Sequence, residues 1–309
     1  MTGASISAVV MTLNEEHNID YCLRSVRTWC DEVIVVDMLS DDRTPEIAGR
    51  YADLLLTHER VGFVEPARVK GFAAARGDWV INIDADEVVP PALAEWIRQF
   101  VDGDPPYDVV RIPRANVFLG RWIRSSPWWP GKPRLFRRGM METSSEIHHG
   151  FRPRPGARVH DAPPDPDRSL WHFAHPSLHG LIEKTNRYTT IEAQQAIARG
   201  MGDPRPQDLL TGPIRALGAY VLRRGYRDGM AGLTYAVDRA YYGFLGAAKR
   251  WDEARAGRRQ AQYDRMRERI VSGYADRGRE RLGDRALPDR APATDSVPVG
   301  RDMEGGAQP

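Results

Sequence analysis

Apolar residues in the first hundred positions come in short blocks that stop on polar or acidic groups. Ile6-Ser7-Ala8-Val9-Val10-Met11 runs into Thr12-Leu13-Asn14-Glu15-Glu16, Glu32-Val33-Ile34-Val35-Val36 ends on Asp37, and Trp79-Val80-Ile81-Asn82-Ile83 ends on Asp84-Ala85-Asp86-Glu87. Runs of this length, bounded by turn signals, predict buried strands, and Leu54-Leu55-Leu56 reads as a further strand. Between them the period becomes helical. Ile19, Cys22, Leu23 and Val26 share one face of a helix expected from about Ile19 to Trp29. Thr44-Pro45-Glu46 supplies a cap, a first-turn proline and an acid, and Pro66 to Arg76 predicts a helix closed by Gly77. Strands alternating with helices predict βαβ units, a parallel sheet and right-handed crossovers.

Further along, a helix is expected from about Pro91 to Val101, then strands at Val109–Ile112 and Pro133–Arg138, a proline-rich loop from Arg152 to Arg168, and an amphipathic helix from Leu178 to Ala198. Asp203-Pro204-Arg205-Pro206 has the composition of a linker, and helices follow at Ile214–Leu222 and Met230–Ala248. Their tyrosines and basic edges suit an interfacial membrane contact, and equally packing on the domain or on a second protomer. From Tyr274 the chain has few large apolar residues and is expected to be disordered. The expected division is an α/β domain over 1–200, a helical region over 201–273 and a tail over 274–309.

At 309 residues the chain can bury a substantial core, and a formal net charge of +2 gives no reason to expect nucleic acid as a partner. The charge is unevenly spread: Val109 to Met141 holds Arg111, Arg114, Arg121, Arg124, Lys132, Arg134, Arg137 and Arg138 and no acid, a solvated face or one turned to an anionic substrate or surface. Cys22 and Cys30 make neither a disulfide framework nor a metal cluster, so core packing in a reducing, cytoplasmic setting is expected. No signal peptide and no spanning helix are expected.

In a parallel sheet, ligands sit outside the carboxyl ends of the strands. The predicted strand ends carry Asn14 and Glu15, then Asp37, then Asp84 and Asp86. Taken singly these are ordinary: a helix cap, a turn residue, a solvated acidic turn. Together they predict a site. An extended backbone points Asp84 and Asp86 to one face, where Mn²⁺ or Mg²⁺ would relieve their repulsion and complete its shell with substrate phosphate. No G-x-G-x-x-G turn or P-loop is present, so neither a dinucleotide fold nor a P-loop site is indicated. Trp128 and Trp129 offer a platform for a sugar ring or simple packing area. His172, His175 and His179 match no zinc spacing.

With these residues placed, the sequence resembles the bacterial family 2 glycosyltransferases of the GT-A fold. The match runs through Thr12-Leu13-Asn14-Glu15-Glu16, Val35-Val36-Asp37 with Ser40-Asp41-Asp42-Arg43-Thr44, and Asp84-Ala85-Asp86. Arg134-Leu135-Phe136-Arg137-Arg138 and Lys184-Thr185-Asn186-Arg187-Tyr188 make it most like the lipopolysaccharide-core glucosyltransferase group, and the resemblance covers roughly residues 5–195. It implies a Rossmann-like, mostly parallel sheet flanked by helices, with a helical C-terminal extension. It also implies an inverting transfer from a nucleotide-sugar, commonly UDP-linked, to a lipid-linked or envelope glycan acceptor, with the enzyme cytoplasmic or peripheral on the membrane. Thr12, Leu13, Asn14, Glu15, Asp37 and Asp84 would hold the nucleotide, Asp84 and Asp86 the metal, and Trp128 and Trp129 the acceptor. Relatives often carry a His-Glu pair after the Leu-Phe-Arg strand. Here His148-His149 stands instead, so the candidate catalytic residues are Asp86 with Glu146 or His149 as the base, or a base from elsewhere in the chain. The serine loop also lacks the glycine that usually precedes Ser40.

Two other readings stay open. Ile81 to Val88 fits the strand-then-D-x-D start of haloacid-dehalogenase-type phosphatases, with Asp84 as nucleophile, although that strand is normally first in its domain. A non-catalytic nucleotide-sugar-binding relative is the other.

Overall fold

The computed structural model describes residues 3–60, 64–125, 131–143, 151–173 and 177–281, with side chains to residue 272. By internal contacts the chain divides into two compact units, Met1–Glu253 and Ala254–Pro309.

In the first unit the predicted alternation is present. Strand β1 (Ile6–Thr12), helix α1 (Ile19–Arg27), β2 (Glu32–Asp37), α2 (Thr44–Ala48), β3 (Leu54–Thr57), α3 (Glu65–Ala74) and β4 (Trp79–Asp84) follow in order. A short strand β5 (Glu87–Val88) and helix α4 (Pro91–Asp102) complete this half. The second half is built from short strands: β6 (Val109–Ile112), β7 (Arg114–Phe118), β8 (Arg121–Trp122), β9 (Lys132–Arg137), β10 (Met141–Thr143), β11 (Phe151–Pro153), β12 (Val159–Asp161) and β13 (Leu170–His172). Helices α5 (Leu178–Ala198), α6 (Pro206–Leu222) and α7 (Gly229–Glu253) close the unit.

Seven strands form the main sheet in the order β12-β6-β9-β4-β1-β2-β3. All neighbours are parallel except β9, which runs antiparallel to both β4 and β6. A second sheet has the order β5-β13-β7-β8. Successive residues of β1 point to opposite faces, so Ala8 and Val10 join a core with α1 and α4, while Val9 and Met11 join a core with α3 and Phe136. The main sheet is therefore buried on both faces, as its nearly unbroken apolar strands require. Gly71 brings α3 close to it: a Cβ there would stand 2.5 Å from Val9 Cγ1.

Strand β3 stands where it was expected in the chain, and it lies at the sheet edge, largely exposed. Other elements differ from expectation. The proline-rich stretch contains β11 and β12, and β12 extends the main sheet by parallel pairing with β6. Helix α6 begins at Pro206, because proline is tolerated at a first helical position and Asp208 accepts the Arg205 N–H at 2.8 Å. Pro213 lies within that helix. In the second unit, helix α8 runs from Ala256 to Arg281, and residues 282–309 of the expected tail lie outside the described residues.

Candidate active site

The loops leaving β1 and β2 are fastened to each other. Met38 N–H donates to the Thr12 carbonyl at 2.9 Å. Asn14, held at φ +54°, accepts from Asp41 N–H through Oδ1 (2.8 Å) and donates its own N–H to Ser40 Oγ (2.8 Å). Glu15 N–H donates to Thr44 Oγ1 (2.8 Å) and Glu16 N–H to Asp42 Oδ2 (3.1 Å). Asp37, buried at the end of β2, accepts from the Ser40 N–H (3.0 Å) and hydroxyl (2.5 Å). Leu39 occupies the position where the resemblance leads one to expect glycine, and it has a φ of +58°. That left-handed backbone is one glycine adopts freely and leucine adopts at a cost. Arg60 holds the turn from outside by donating to the Leu39 carbonyl. Thr12 Oγ1 is buried and has no hydrogen-bond partner among the described residues.

The extended run of β4 ends at Asp84, and Asp86 lies in the turn before β5. The two carboxylates therefore meet different partners. Asp84 Oδ1 accepts from Arg68 on α3 (2.7 Å) and Oδ2 from Arg134 on β9 (3.1 Å). Burial disfavours charge on Asp84, but the Arg134 and Arg68 guanidiniums outweigh it and hold the carboxyl well below the usual range. Arg134 also donates to the fully buried Glu87, which accepts the Asp84 N–H (2.9 Å) and is approached by Arg114 (3.4 Å). One buried arginine–carboxylate contact, Arg134–Glu87, and three part-buried ones, Arg134–Asp84, Arg68–Asp84 and Arg114–Glu87, thus lock the turn that presents Asp86.

Asp86 Oδ2 lies 3.3 Å from His172 Nε2. The other ring nitrogen, Nδ1, is 2.9 Å from Asn116 Oδ1. With Nδ1–H donating to that amide oxygen, a neutral ring turns a lone pair toward an oxygen that also only accepts. Such a pair needs a positive species on it or between it, a ring proton or a metal cation. Burial opposes the Asp86 charge, and His172, with a smaller contribution from Lys184, keeps its carboxyl below the ordinary value. Glu15 behaves in the opposite way. Burial first, then the Asp86 charge, push it up to about 7, against the opposing hydrogen bond from Asn18.

A hard divalent cation fits the Asp86–His172 pair, because one carboxylate and one imidazole leave positions for phosphate oxygens. Among the described residues no group of three or more His, Cys, Asp or Glu side chains is placed to hold a metal ion by itself, so substrate and water would have to complete the shell. Asp84, occupied by two guanidiniums, fits a structural part better than a ligand's. Arg68, Arg114, Lys132 and Arg134 all lie within electrostatic reach of Asp84, offset by Asp84 itself, Asp86, Glu87 and Glu65, the last 3.7 Å from Arg68; guanidiniums of this kind are suited to pair with a diphosphate.

The structure thus brings Thr12, Leu13, Asn14, Glu15, Asp37, Asp84 and Asp86 to one rim. Trp128, Trp129, Glu146 and His149 lie outside the described residues, as does His175. The sequence assigned no role to Arg68, Glu87, Asn116 or His172. His172 reaches Asp86 because β13 pairs antiparallel with β5, setting His172 opposite Glu87, and parallel with β7, setting it opposite Asn116. A three-residue strand paired across more than eighty positions leaves no periodic trace.

Comparison with known proteins identifies the family of the chain. The family model described as glycosyl transferase family 2 matches residues 7–154. A lipopolysaccharide core biosynthesis glycosyltransferase of Rhizobium meliloti (strain 1021) is 30% identical over 254 residues, covering 79% of this chain and 91% of the relative. An uncharacterized glycosyltransferase of Rickettsia prowazekii (strain Madrid E) is 26% identical over 79% of this chain and 86% of its own. Among solved structures, a mannosyltransferase from Pyrobaculum calidifontis, in complex with GDP-Man and Mn²⁺, is similar at 21% identity with a TM-score of 0.48, over 82% of this chain and 88% of that one. The phosphatase reading falls away, since the strand ending at Asp84 is the fourth of its sheet and that aspartate is held by two arginines. The chain belongs to glycosyl transferase family 2.

Proposed function

We propose that this protein transfers a sugar from a UDP-sugar to a membrane-associated or envelope glycan acceptor, with inversion and with the help of Mn²⁺ or Mg²⁺. The observation that carries the reading is the Asp86–His172 pair, set among arginines at the carboxyl end of a parallel sheet. The envelope acceptor rests on the function named for the Rhizobium meliloti relative.

In this reading the fastened β1 and β2 loops, with Asp37 at their base, receive the nucleoside. Asp86 and His172 would hold the metal, which when bound supplies Lewis-acid stabilisation of the departing diphosphate, worth several kcal/mol. Arg68, Arg114 and Lys184 add fixed positive charge where that negative charge develops. The acceptor oxygen attacks the anomeric carbon as the bond to the diphosphate breaks. The proton leaving the acceptor hydroxyl goes to a general base, for which Glu146 and His149 are the candidates the sequence offers.

The test is a thermal-melt series with UDP, GDP and ADP, each with Mn²⁺, with Mg²⁺ and with chelator. A ligand at a hundred times its dissociation constant stabilises by about 2.7 kcal/mol. The expected result is a chelator-sensitive shift with UDP that Asp86→Asn abolishes. Stabilisation by another nucleotide alone would move the donor assignment to that nucleotide, and stabilisation by none would overturn the donor site.

A further inference from the structure

The α6–α7 hairpin carries a surface that the transfer reaction does not use. On α6, Leu210, Ile214, Leu217 and Val221 recur at helical spacing and are 52–64% exposed. At the turn into α7, Leu222, Tyr226 and Met230 are 84%, 55% and 76% exposed. This stripe is not the hairpin's own seam. The helices meet on another face of α6, where a Cβ on Gly212 would stand 2.7 Å from Gly243 Cα. Helix α7 meets α5 through Thr185–Asp238 and Glu192–Tyr242 hydrogen bonds.

Charge is distributed to match. From Leu209 to Val237 the chain has four arginines, Arg215, Arg223, Arg224 and Arg227, all exposed, and a single acid, Asp228. That acid is 5% exposed and turned inward, accepting from the Ser125 hydroxyl (2.6 Å) and N–H (3.0 Å). The next acid, Asp238, is also buried, bonded to Thr185 and Arg239. The segment therefore shows solvent large apolar side chains and arginines with no exposed carboxylate. Single exposed apolar residues are ordinary, but a contiguous stripe at helical spacing marks a contact surface.

We propose that the exposed face of α6 and the turn into α7 dock on an anionic lipid bilayer, with the apolar stripe at the acyl boundary and the arginines among the headgroups. No helix among the described residues is long and apolar enough to cross a membrane, so the contact is interfacial. A second copy is the poorer occupant, because a two-fold contact through this patch would set arginines against arginines. The Asp228–Ser125 bonds tie the turn to the segment following β8, in the sheet that also carries Asn116 and His172. Docking there would fix the catalytic rim relative to the bilayer. The inference needs no assumption about donor or acceptor.

The experiment is flotation of the full-length protein with vesicles of phosphatidylcholine alone and of phosphatidylcholine with phosphatidylglycerol. Variants are Arg223→Glu/Arg224→Glu and Leu217→Ser/Val221→Ser, with folding checked by circular dichroism and mass in solution by sedimentation equilibrium. The wild type is expected to float with the anionic vesicles. Each basic side chain contributes roughly five-fold to partition, so the double charge reversal should lower it at least about 25-fold. The double serine variant should lower it at least about 10-fold. Failure of the folded wild type to float overturns the proposal, as does flotation indifferent to the serine variant. A dimer in solution that both variants dissociate would give the face to a second copy instead.

Discussion

The two halves of the α/β region reach the same site by different means. From β1 to α4, each element is a local statement: an apolar block makes a strand, doubly buried in β1, β2 and β4, and the next polar residues become the rim. From β6 to β13, strands of two to six residues acquire meaning only through distant partners. Yet Arg134, Asn116 and His172, all from this second half, determine what Asp84 and Asp86 do. The first half supplies the carboxylates and the second supplies their charge environment. A functional pair of acids is thus defined as much by what faces it as by its spacing.

The largest expected break in this division of labour is Arg134→Met. It would strand Glu87, fully buried, and deprive Asp84 of one guanidinium, so urea unfolding should show a loss of about 3–5 kcal/mol. A loss below about 1 kcal/mol would mean the turn holds itself. Next come Asp86→Asn and His172→Ala, one from each half. Each should slow turnover of the nucleotide-sugar by roughly 10²-fold, about 3 kcal/mol, and the double variant should be little slower than either single one. Additive losses would show that the two side chains act separately.

A smaller effect concerns Glu15. Its carboxyl is raised in the folded protein from 4.5 to about 7, so its contribution to stability is full below about 4.5 and is lost as the pH rises through about 7. Between pH 5 and pH 8 the wild type should lose on the order of 2–3 kcal/mol more than Glu15→Gln, measured by urea unfolding at both pH values. Equal losses would show that Glu15 ionises normally. The smallest effect is Leu39→Gly, expected to stabilise by about 1 kcal/mol by relieving the left-handed leucine. Destabilisation would mean that the side chain, half-exposed on the loop, has a contact to defend.

Legibility follows the same line. Strands β1, β2 and β4 and the helices between them were readable because burial on both faces writes itself as uninterrupted apolar runs. The rim residues Asn14, Glu15, Asp37, Asp84 and Asp86 were readable because they end those runs. Strand β12 was hidden in a proline-rich stretch, where three residues pair with β6 across fifty positions. The start of α6 was hidden because Pro204 and Pro206 suggest a linker, although a proline at the first helical position needs no N–H partner. For Asp84 the position was legible, but not the two arginines that occupy it. Guanidinium partners on α3 and β9 are set by tertiary packing, Arg68 partly by the close approach of Gly71 to Val9.

The fastening of the β1 and β2 loops has one more consequence. Six backbone N–H groups there, of Asn14, Glu15, Glu16, Ser40, Asp41 and Thr44, already donate to side chains of those loops and of Asp37 at their base. Restraining a loop residue costs about 1–2 kcal/mol in entropy, and here that restraint is imposed by folding, before a ligand arrives. A frame that is rigid without its ligand can tolerate exchange of the side chains lining it. Descendants of such a protein can change which donor they accept by swapping residues on a fixed floor, with no need to invent a new loop.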